Sequence, residues 1–194
     1  MKKRVIGITG GAGCGKSEVL KIMKEDYQAD VILADEVAKE LQKPGGKSYA
    51  RIVDCFGKDI ILKDGTIDRR KLSKIVFADS KRLDQLNQIV HPDVRIEIEK
   101  RIRESTNPLI VLEAALLIEC GYRDLCTEFW YIHSKESIRR IRLKESRGYS
   151  QEKIDSVLKN QLSEEEFIKN CDRVIENNTS LEDLKKKIFE NLNT

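Results

Sequence analysis

The sequence predicts a three-layer α/β fold, a five-stranded parallel sheet flanked by helices, with a helical insertion near the middle of the chain. Three observations carry this. Short apolar runs at residues 5–8, 31–34, 109–112, 129–132 and 173–176 alternate with longer stretches of helical periodicity. The first run leads directly into Gly10-Gly11-Ala12-Gly13-Cys14-Gly15-Lys16-Ser17, which fits GxxxxGK(S/T) at every fixed position. From residue 44 to about residue 106 the alternation lapses into helices alone. Strands that are apolar on both faces need helical cover on both, as in a parallel sheet.

The totals narrow the function classes. A chain of 194 residues buries one good core with room for a small inserted subdomain. Its 36 basic and 33 acidic residues leave a net charge of +3, too near balance for a nucleic-acid binder but suited to a polyphosphate cleft. Five cysteines, at 14, 55, 120, 126 and 171, form no CxxC pair, and two histidines are too few to complete a zinc site. They read as reduced thiols of a cytoplasmic protein. Met1-Lys2-Lys3-Arg4 looks like the basic end of a signal peptide, but the apolar run after it is short and breaks at glycine. The longest apolar stretch, 109–118, is interrupted by Glu113 and falls far short of a membrane span.

In chain order, the strand ending at Thr9 and the helical stripe of Val19, Leu20, Ile22 and Met23 give the glycine-rich loop the flanks a phosphate loop needs. Its glycines let successive N–H groups turn inward around an anion, and the helix from Lys16 adds its positive end. Lys16 then meets the β- and γ-phosphates of a nucleotide, and the Ser17 hydroxyl ligates Mg²⁺. A plain glycine turn is the competing reading, yet a lysine and a hydroxyl in fixed register add nothing to a turn. Cys14, beside Lys16, reads as an acidified, oxidisable thiol. Asp35 follows the second strand, where it serves either as a general base or as an N-cap.

Lys43-Pro44-Gly45-Gly46 breaks the pattern and opens the insertion. Ile52, Val53 and Phe56 share a face, Lys63-Asp64-Gly65 is a turn, and Asp68 opens a helix carrying Leu72, Ile75, Val76 and Phe77. Asp79 or Ser80 opens the next helix, which His91-Pro92 is expected to interrupt, with the proline in the first turn of a further helix. Arg69 and Arg70 either reach acceptor phosphates or form a surface pair. His91 reads as a turn residue rather than an acid or base.

Beyond the third strand, Glu113 either holds a metal through water or sits as an acid at the N-terminus of a helix over 114–119. Ser134 is expected to cap a basic helix bearing Arg139, Arg140, Arg142, Lys144 and Arg147 and stopping near Gly148. These arginines cannot all share one face, so one or two of them are expected to close over phosphates as a lid. A helix from 150 to about 161, a fifth strand, the turn Asn177-Asn178 and a terminal helix over 181–192 complete the chain.

The arrangement resembles the dephospho-coenzyme A kinase family over nearly its whole length. The opening from Gly7 to Ser17 is similar to that family's start, and Ala34-Asp35 with Val37-Ala38 to its Asp-Ala-Asp segment, with Leu33 in place of the first Asp. More specific are Pro44-Gly45, Phe56-Gly57, Asp64-Gly65, Ile67-Asp68-Arg69, Leu72, Val76-Phe77 and His91-Pro92. Further matches are Leu116-Leu117 with Glu119, Arg142-Leu143, Gln161, Cys171-Asp172 and Val174-Ile175 with Asn177. Glu113, Ala115 and Phe167 depart from the family pattern, and the next lid arginine falls on Ser146 or Arg147.

The resemblance implies a P-loop kinase fold that moves a phosphoryl group from ATP, with Mg²⁺, to the ribose 3′-hydroxyl of dephospho-coenzyme A. It implies one domain over 1–194: a core at about 1–43, 107–134 and 168–194, an acceptor-binding insertion at about 44–106, and a lid at about 135–167. It makes Asp35 the base, Lys16 the phosphate clamp and Ser17 the metal ligand. Gly11, Ala12, Gly13, Cys14, Gly15 and Glu18 fall on the ATP loop, Arg142 and Arg147 on the lid, and Asn177 near the adenine. Thr9, Arg69, His91 and Glu113 join Asp35 on the acceptor side. A monomer or weak homo-oligomer is expected, without nucleic acid or membrane partners. Two rivals stay open: a kinase of another small acceptor, such as a nucleoside monophosphate, and a nucleotide switch that transfers nothing. A guanine switch would need an Asn-Lys-x-Asp motif, which the chain lacks.

Overall fold

A computed structural model describes residues 3–194; Met1 and Lys2, which begin the basic run noted above, lie outside the described residues. The described chain divides into two compact units, one of residues 3–32 with Thr106–Thr194 and one of Leu33–Ser105.

The first unit is built on strands β1 (Arg4–Thr9), β2 (Asp30–Leu33), β3 (Leu109–Glu113), β4 (Glu128–His133) and β5 (Arg173–Glu176). They lie in the order β2-β3-β1-β4-β5, with β1 parallel to both β3 and β4, and β4 parallel to β5. Central β1 is therefore where the strand order reverses, and the loop after its C-terminal end lies at the position where such sheets bind ligands. Ile6 and Ile8 of β1, Val111, Trp130 and Ile132 pack with Val19, Ile22 and Met23 of helix α1 (Lys16–Glu25) into one buried cluster. Leu184 and Ile188 of the C-terminal helix join the same cluster. The Trp130 indole N–H donates to Glu128 across 2.9 Å, which satisfies the one polar atom of that buried side chain.

The second unit is helical: α2 (Ala34–Leu41), α3 (Tyr49–Phe56), α4 (Arg69–Ala78) and α5 (Ser80–Glu104), with a single antiparallel bridge between Ile61 and Ile67. It begins at Leu33 rather than near residue 44, because α2 packs against α5. Asp68 and Asp79 cap α4 and α5 by accepting first-turn backbone N–H groups. The expected break at His91-Pro92 is absent, and α5 runs unbroken through Pro92 for 25 residues. An interior proline removes a helical N–H, and here the helix is braced from outside. Arg51 of α3 donates to the Ile89 carbonyl at 2.8 Å and pairs with Asp93, which also accepts from Ser48 at 2.7 Å.

The chain then continues through α6 (Glu136–Arg147), α7 (Gln151–Lys159), α8 (Glu164–Asn170) and α9 (Leu181–Leu192), all in the first unit. Residues 114–121 form turns, not the expected helix: Cys120 N–H bonds the Leu116 carbonyl, and the chain then turns at Gly121. Helix α8 was not legible as a helix, although Ser163 and Glu166 close a capping box at its start. Ser134 does not cap α6. That place is taken by Lys135, without a side-chain bond, and Ser134 is buried elsewhere.

Candidate active site

The loop from Gly10 to Gly15 leaves the C-terminal end of β1 and enters α1 at Lys16. The first-turn N–H groups of a helix have no acceptor inside it, so they are available to an anion, whose charge the helix dipole favours. Lys16 folds back over the loop and donates its Nζ to the Gly10 carbonyl at 2.6 Å. Ser17 is exposed in the first turn of α1.

Two of the loop's glycines are required by their neighbours. At Gly13 (φ +79°) a Cβ would sit 2.8 Å from the Arg139 carbonyl, so helix α6 rests directly on the loop. At Gly15 (φ +93°) it would fall 2.2 Å from Asn177 Nδ2. Both also hold a left-handed backbone that favours glycine.

The outer side of the loop is held by α6 and by the ends of β4 and β5. Asn177 Nδ2 donates to the Cys14 carbonyl at 2.9 Å. Arg142 donates to the Ser134 hydroxyl at 3.1 Å and to the Asn177 carbonyl at 3.2 Å, and its Nη1 lies 3.3 Å from the Cys14 carbonyl. Arg139, three residues earlier on the same face of α6, donates to the Ala12 carbonyl at 2.9 Å and to Gln161. Arg140 points away, to Glu136 and Asp155. Arg147 is exposed, with its guanidinium 6.0 Å above the Tyr149 ring and outside the loop network. Of the two arginines that the resemblance puts on the lid, Arg142 bonds the loop; Arg139, one of several basic residues on the expected helix, bonds it too. The i, i+3 spacing of Arg139 and Arg142 was the available signal.

Thr9 ends β1, buried and level with Tyr131 of β4. Burial pushes the Tyr131 phenol up to about 12, so it stays neutral. Glu113 ends β3, level with Ile8. Cys14 is 1% exposed and part of the apolar cluster, and this burial counts against the expected oxidisable thiol. Burial also pushes Cys126 and Cys171 up to about 12.

In the second unit, Asp35 stands in the first turn of α2, exposed. It is not the N-cap: Leu33 holds that position, and no side chain caps the helix. Arg69 donates to the Lys39 carbonyl of α2 at 3.2 Å. Together with Lys39 it holds the Glu36 carboxyl below its ordinary range, the Lys39 hydrogen bond being the larger cause. Arg69 thus lies beside the helix that Asp35 opens. His91 is exposed on α5.

A glycine-rich loop, a lysine and a hydroxyl at the start of a helix, and two inward arginines, all at the switch point of a parallel sheet, define a P-loop phosphotransferase. The model of the dephospho-CoA kinase family matches residues 4–183. The chain belongs to the dephospho-CoA kinase family. Among similar proteins, the dephospho-CoA kinase of Carboxydothermus hydrogenoformans is 39% identical over 95% of this chain and 91% of its own. That of Fusobacterium nucleatum is 39% identical over 97% and 96%. A crystal structure of a Thermus thermophilus protein superposes with a TM-score of 0.84 at 30% identity, covering 100% of this chain and 98% of that one. The dephospho-CoA kinase of Campylobacter jejuni gives 0.73 at 25% identity, covering 98% and 96%. The family's reaction is the last step of coenzyme A biosynthesis, and the chain is a kinase.

Proposed function

We propose that this chain transfers the γ-phosphoryl group of ATP to the ribose 3′-hydroxyl of dephospho-coenzyme A, giving coenzyme A and ADP, with residue roles as follows. The observation that carries the reading is the loop from Gly10 to Ser17 at the end of β1, with Lys16 and the α1 N-terminus at its mouth. Lys16 exchanges the Gly10 carbonyl for β- and γ-phosphate oxygens, and Arg142 adds positive charge beside the loop. Asp35 accepts the proton of the 3′-hydroxyl as the new O–P bond forms and the bond to the β,γ-bridging oxygen breaks. Arg69 and His91 are the candidates in the second unit for the acceptor's phosphate groups, and Thr9 and Glu113 are the acceptor-side candidates at the C-terminal ends of β1 and β3. Arg147 reaches the nucleotide only by leaving Tyr149.

Among the described residues, no three His, Cys, Asp or Glu side chains gather around one point. A Mg²⁺ ion fits this chemistry, since it is ordinarily held by phosphate oxygens, water and one or two protein oxygens, and Ser17 is the protein ligand present. When bound it would neutralise charge on the phosphates. Phosphoryl transfer otherwise asks the protein for in-line positioning and exclusion of water.

The acceptor is a small molecule, and the near-balanced charge gives no footprint for nucleic acid. Among the described residues no helix is long and apolar enough to cross a membrane, and all five cysteines are free. Both support a cytoplasmic enzyme, and a monomer or weak homo-oligomer is the state we propose for it.

The test is ADP release from ATP and Mg²⁺ with dephospho-coenzyme A, set beside AMP, CMP and water as acceptors. Release with dephospho-coenzyme A alone, and coenzyme A as product, is expected. Release only with another acceptor would move the chain to a different substrate, and tight ATP binding without transfer would make it a switch.

A further inference from the structure

Among the described residues four polar side chains are buried, and two of them, Ser134 (3% exposed) and Asn177 (7%), converge on one atom. That atom is the carbonyl oxygen of Cys14. Asn177 Nδ2 lies 2.9 Å from it, Ser134 Oγ 3.1 Å and Arg142 Nη1 3.3 Å. Asn177 and Arg142 donate to that oxygen, while the one Ser134 proton goes to the shorter of its two contacts, the Asn177 carbonyl, so that Ser134 acts by holding Asn177 in place. Ser134 Oγ donates to the Asn177 carbonyl at 2.6 Å, and Arg142 reaches both the Ser134 hydroxyl and the Asn177 side-chain oxygen. The two strand ends are themselves joined, because Asn177 N–H bonds the His133 carbonyl at 2.8 Å.

A trans peptide unit points its C=O and its N–H in opposite directions. Fixing the Cys14 carbonyl against β4, β5 and α6 therefore fixes the Gly15 N–H on the other side, toward the mouth of the loop. Donors on the oxygen also draw electron density from the nitrogen, which strengthens that N–H as a donor. Burial adds to the effect, since polar groups interact more strongly where water is excluded.

We infer that Ser134 and Asn177 are positioning residues for phosphate binding: through the Cys14–Gly15 peptide they aim and polarise the Gly15 N–H toward the nucleotide's phosphates. The inference rests on the phosphate-loop reading and gives that loop a support from strand ends outside its sequence motif. It also gives Asn177 a role different from contact with adenine. Gly15 is then required for a second reason, because only glycine leaves the Asn177 amide room to reach the Cys14 carbonyl.

The experiment compares the full chain with Ser134→Ala and Asn177→Ala, each measured three ways: affinity for inorganic tripolyphosphate by calorimetry, the Gly15 amide proton shift in ¹⁵N-resolved NMR of the free protein, and thermal midpoint. Ser134→Ala should weaken tripolyphosphate roughly three- to tenfold and Asn177→Ala about tenfold, the effect of losing one buried hydrogen bond. In both variants the Gly15 amide proton should move to higher field. A lowered midpoint with unchanged affinity and an unmoved Gly15 proton would overturn the inference, since that is what a merely structural role gives. If Ser134→Ala does not fold, Asn177→Ala decides alone. Failure of the unsubstituted protein to bind tripolyphosphate would instead remove the phosphate-loop reading, and the inference with it.

Discussion

Lys16 and Asp35 are exposed to different tests because they sit in different units and do different work. Replacing Lys16 with alanine deletes a charge-assisted contact to the phosphates, so ATP affinity should fall about 10- to 100-fold and turnover with it. Calorimetric titration with ATP beside steady-state assays measures both. Asp35→Asn keeps the shape of the first turn of α2 and removes only the base. Turnover should drop by roughly two orders of magnitude or more while ATP affinity holds; near-normal turnover would reduce Asp35 to a surface residue. Cys14 illustrates how burial opposes a neighbour's chemistry. Proximity to Lys16 in sequence suggested an activated thiol, but the side chain turns into the apolar cluster at 1% exposure. Iodoacetamide should leave it unlabelled in the native protein with or without ATP, as peptide mass mapping would show.

Among the elements, β4 and α9 are joined by one carboxylate. Glu128 accepts from Trp130, from Arg4 at 2.7 Å and from Arg173 at 2.8 Å, and Arg4 also donates to the Asn191 carbonyl at the end of α9. Partial burial alone would raise its carboxyl, yet the bonds from Trp130, Arg4 and Arg173 outweigh this and hold it below its ordinary 4.5. The folded state therefore binds that proton less readily than the unfolded chain. The stability Glu128 contributes is fully present above its ordinary titration range and is lost as pH falls through its lowered folded value. Urea unfolding between about pH 3 and pH 7 should show this loss, and Glu128→Gln should flatten it at a cost of about 1–3 kcal/mol at neutral pH. Helix α5 makes the complementary point about local rules. Pro92 signalled a break, but Arg51 and Asp93 supply hydrogen bonds around it, and partners from α3 cannot be read from the sequence of α5.

At the scale of the whole molecule, two compact units match two substrates in the proposed reaction. Ligand that binds only the folded protein stabilises it by mass action, about 2.7 kcal/mol at a hundredfold excess over Kd. ATP should raise the thermal midpoint accordingly, and Lys16→Ala, binding about 10- to 100-fold more weakly, should cut the stabilisation at the same concentration to about 0.4–1.4 kcal/mol. Hydrogen exchange should localise the two ligands. ATP is expected to protect residues 10–17 and α6, and dephospho-coenzyme A is expected to protect α2 and α4. Protection by dephospho-coenzyme A confined to the first unit would overturn the assignment of Arg69 and His91 to the acceptor.

The sequence by itself determined the sheet, the phosphate loop and the helical insertion, because each is written in local pattern. Apolar runs of strand length, GxxxxGK(S/T) at fixed spacing and helical periodicity need no knowledge of distant partners. Tertiary structure alone decided which groups surround that loop. Ser134 looked like a helix cap and is a buried link between two strand ends, and Arg139 was one of several basic residues until its i, i+3 pairing with Arg142 met a surface to face. The second unit starts eleven residues earlier than the Pro44-Gly45 break suggested, since packing on α5, not chain composition, claims α2. Hydrogen bonds between residues more than a hundred positions apart, such as Asn177 to Cys14, have no local signature, because what brings the partners together is the order of the strands.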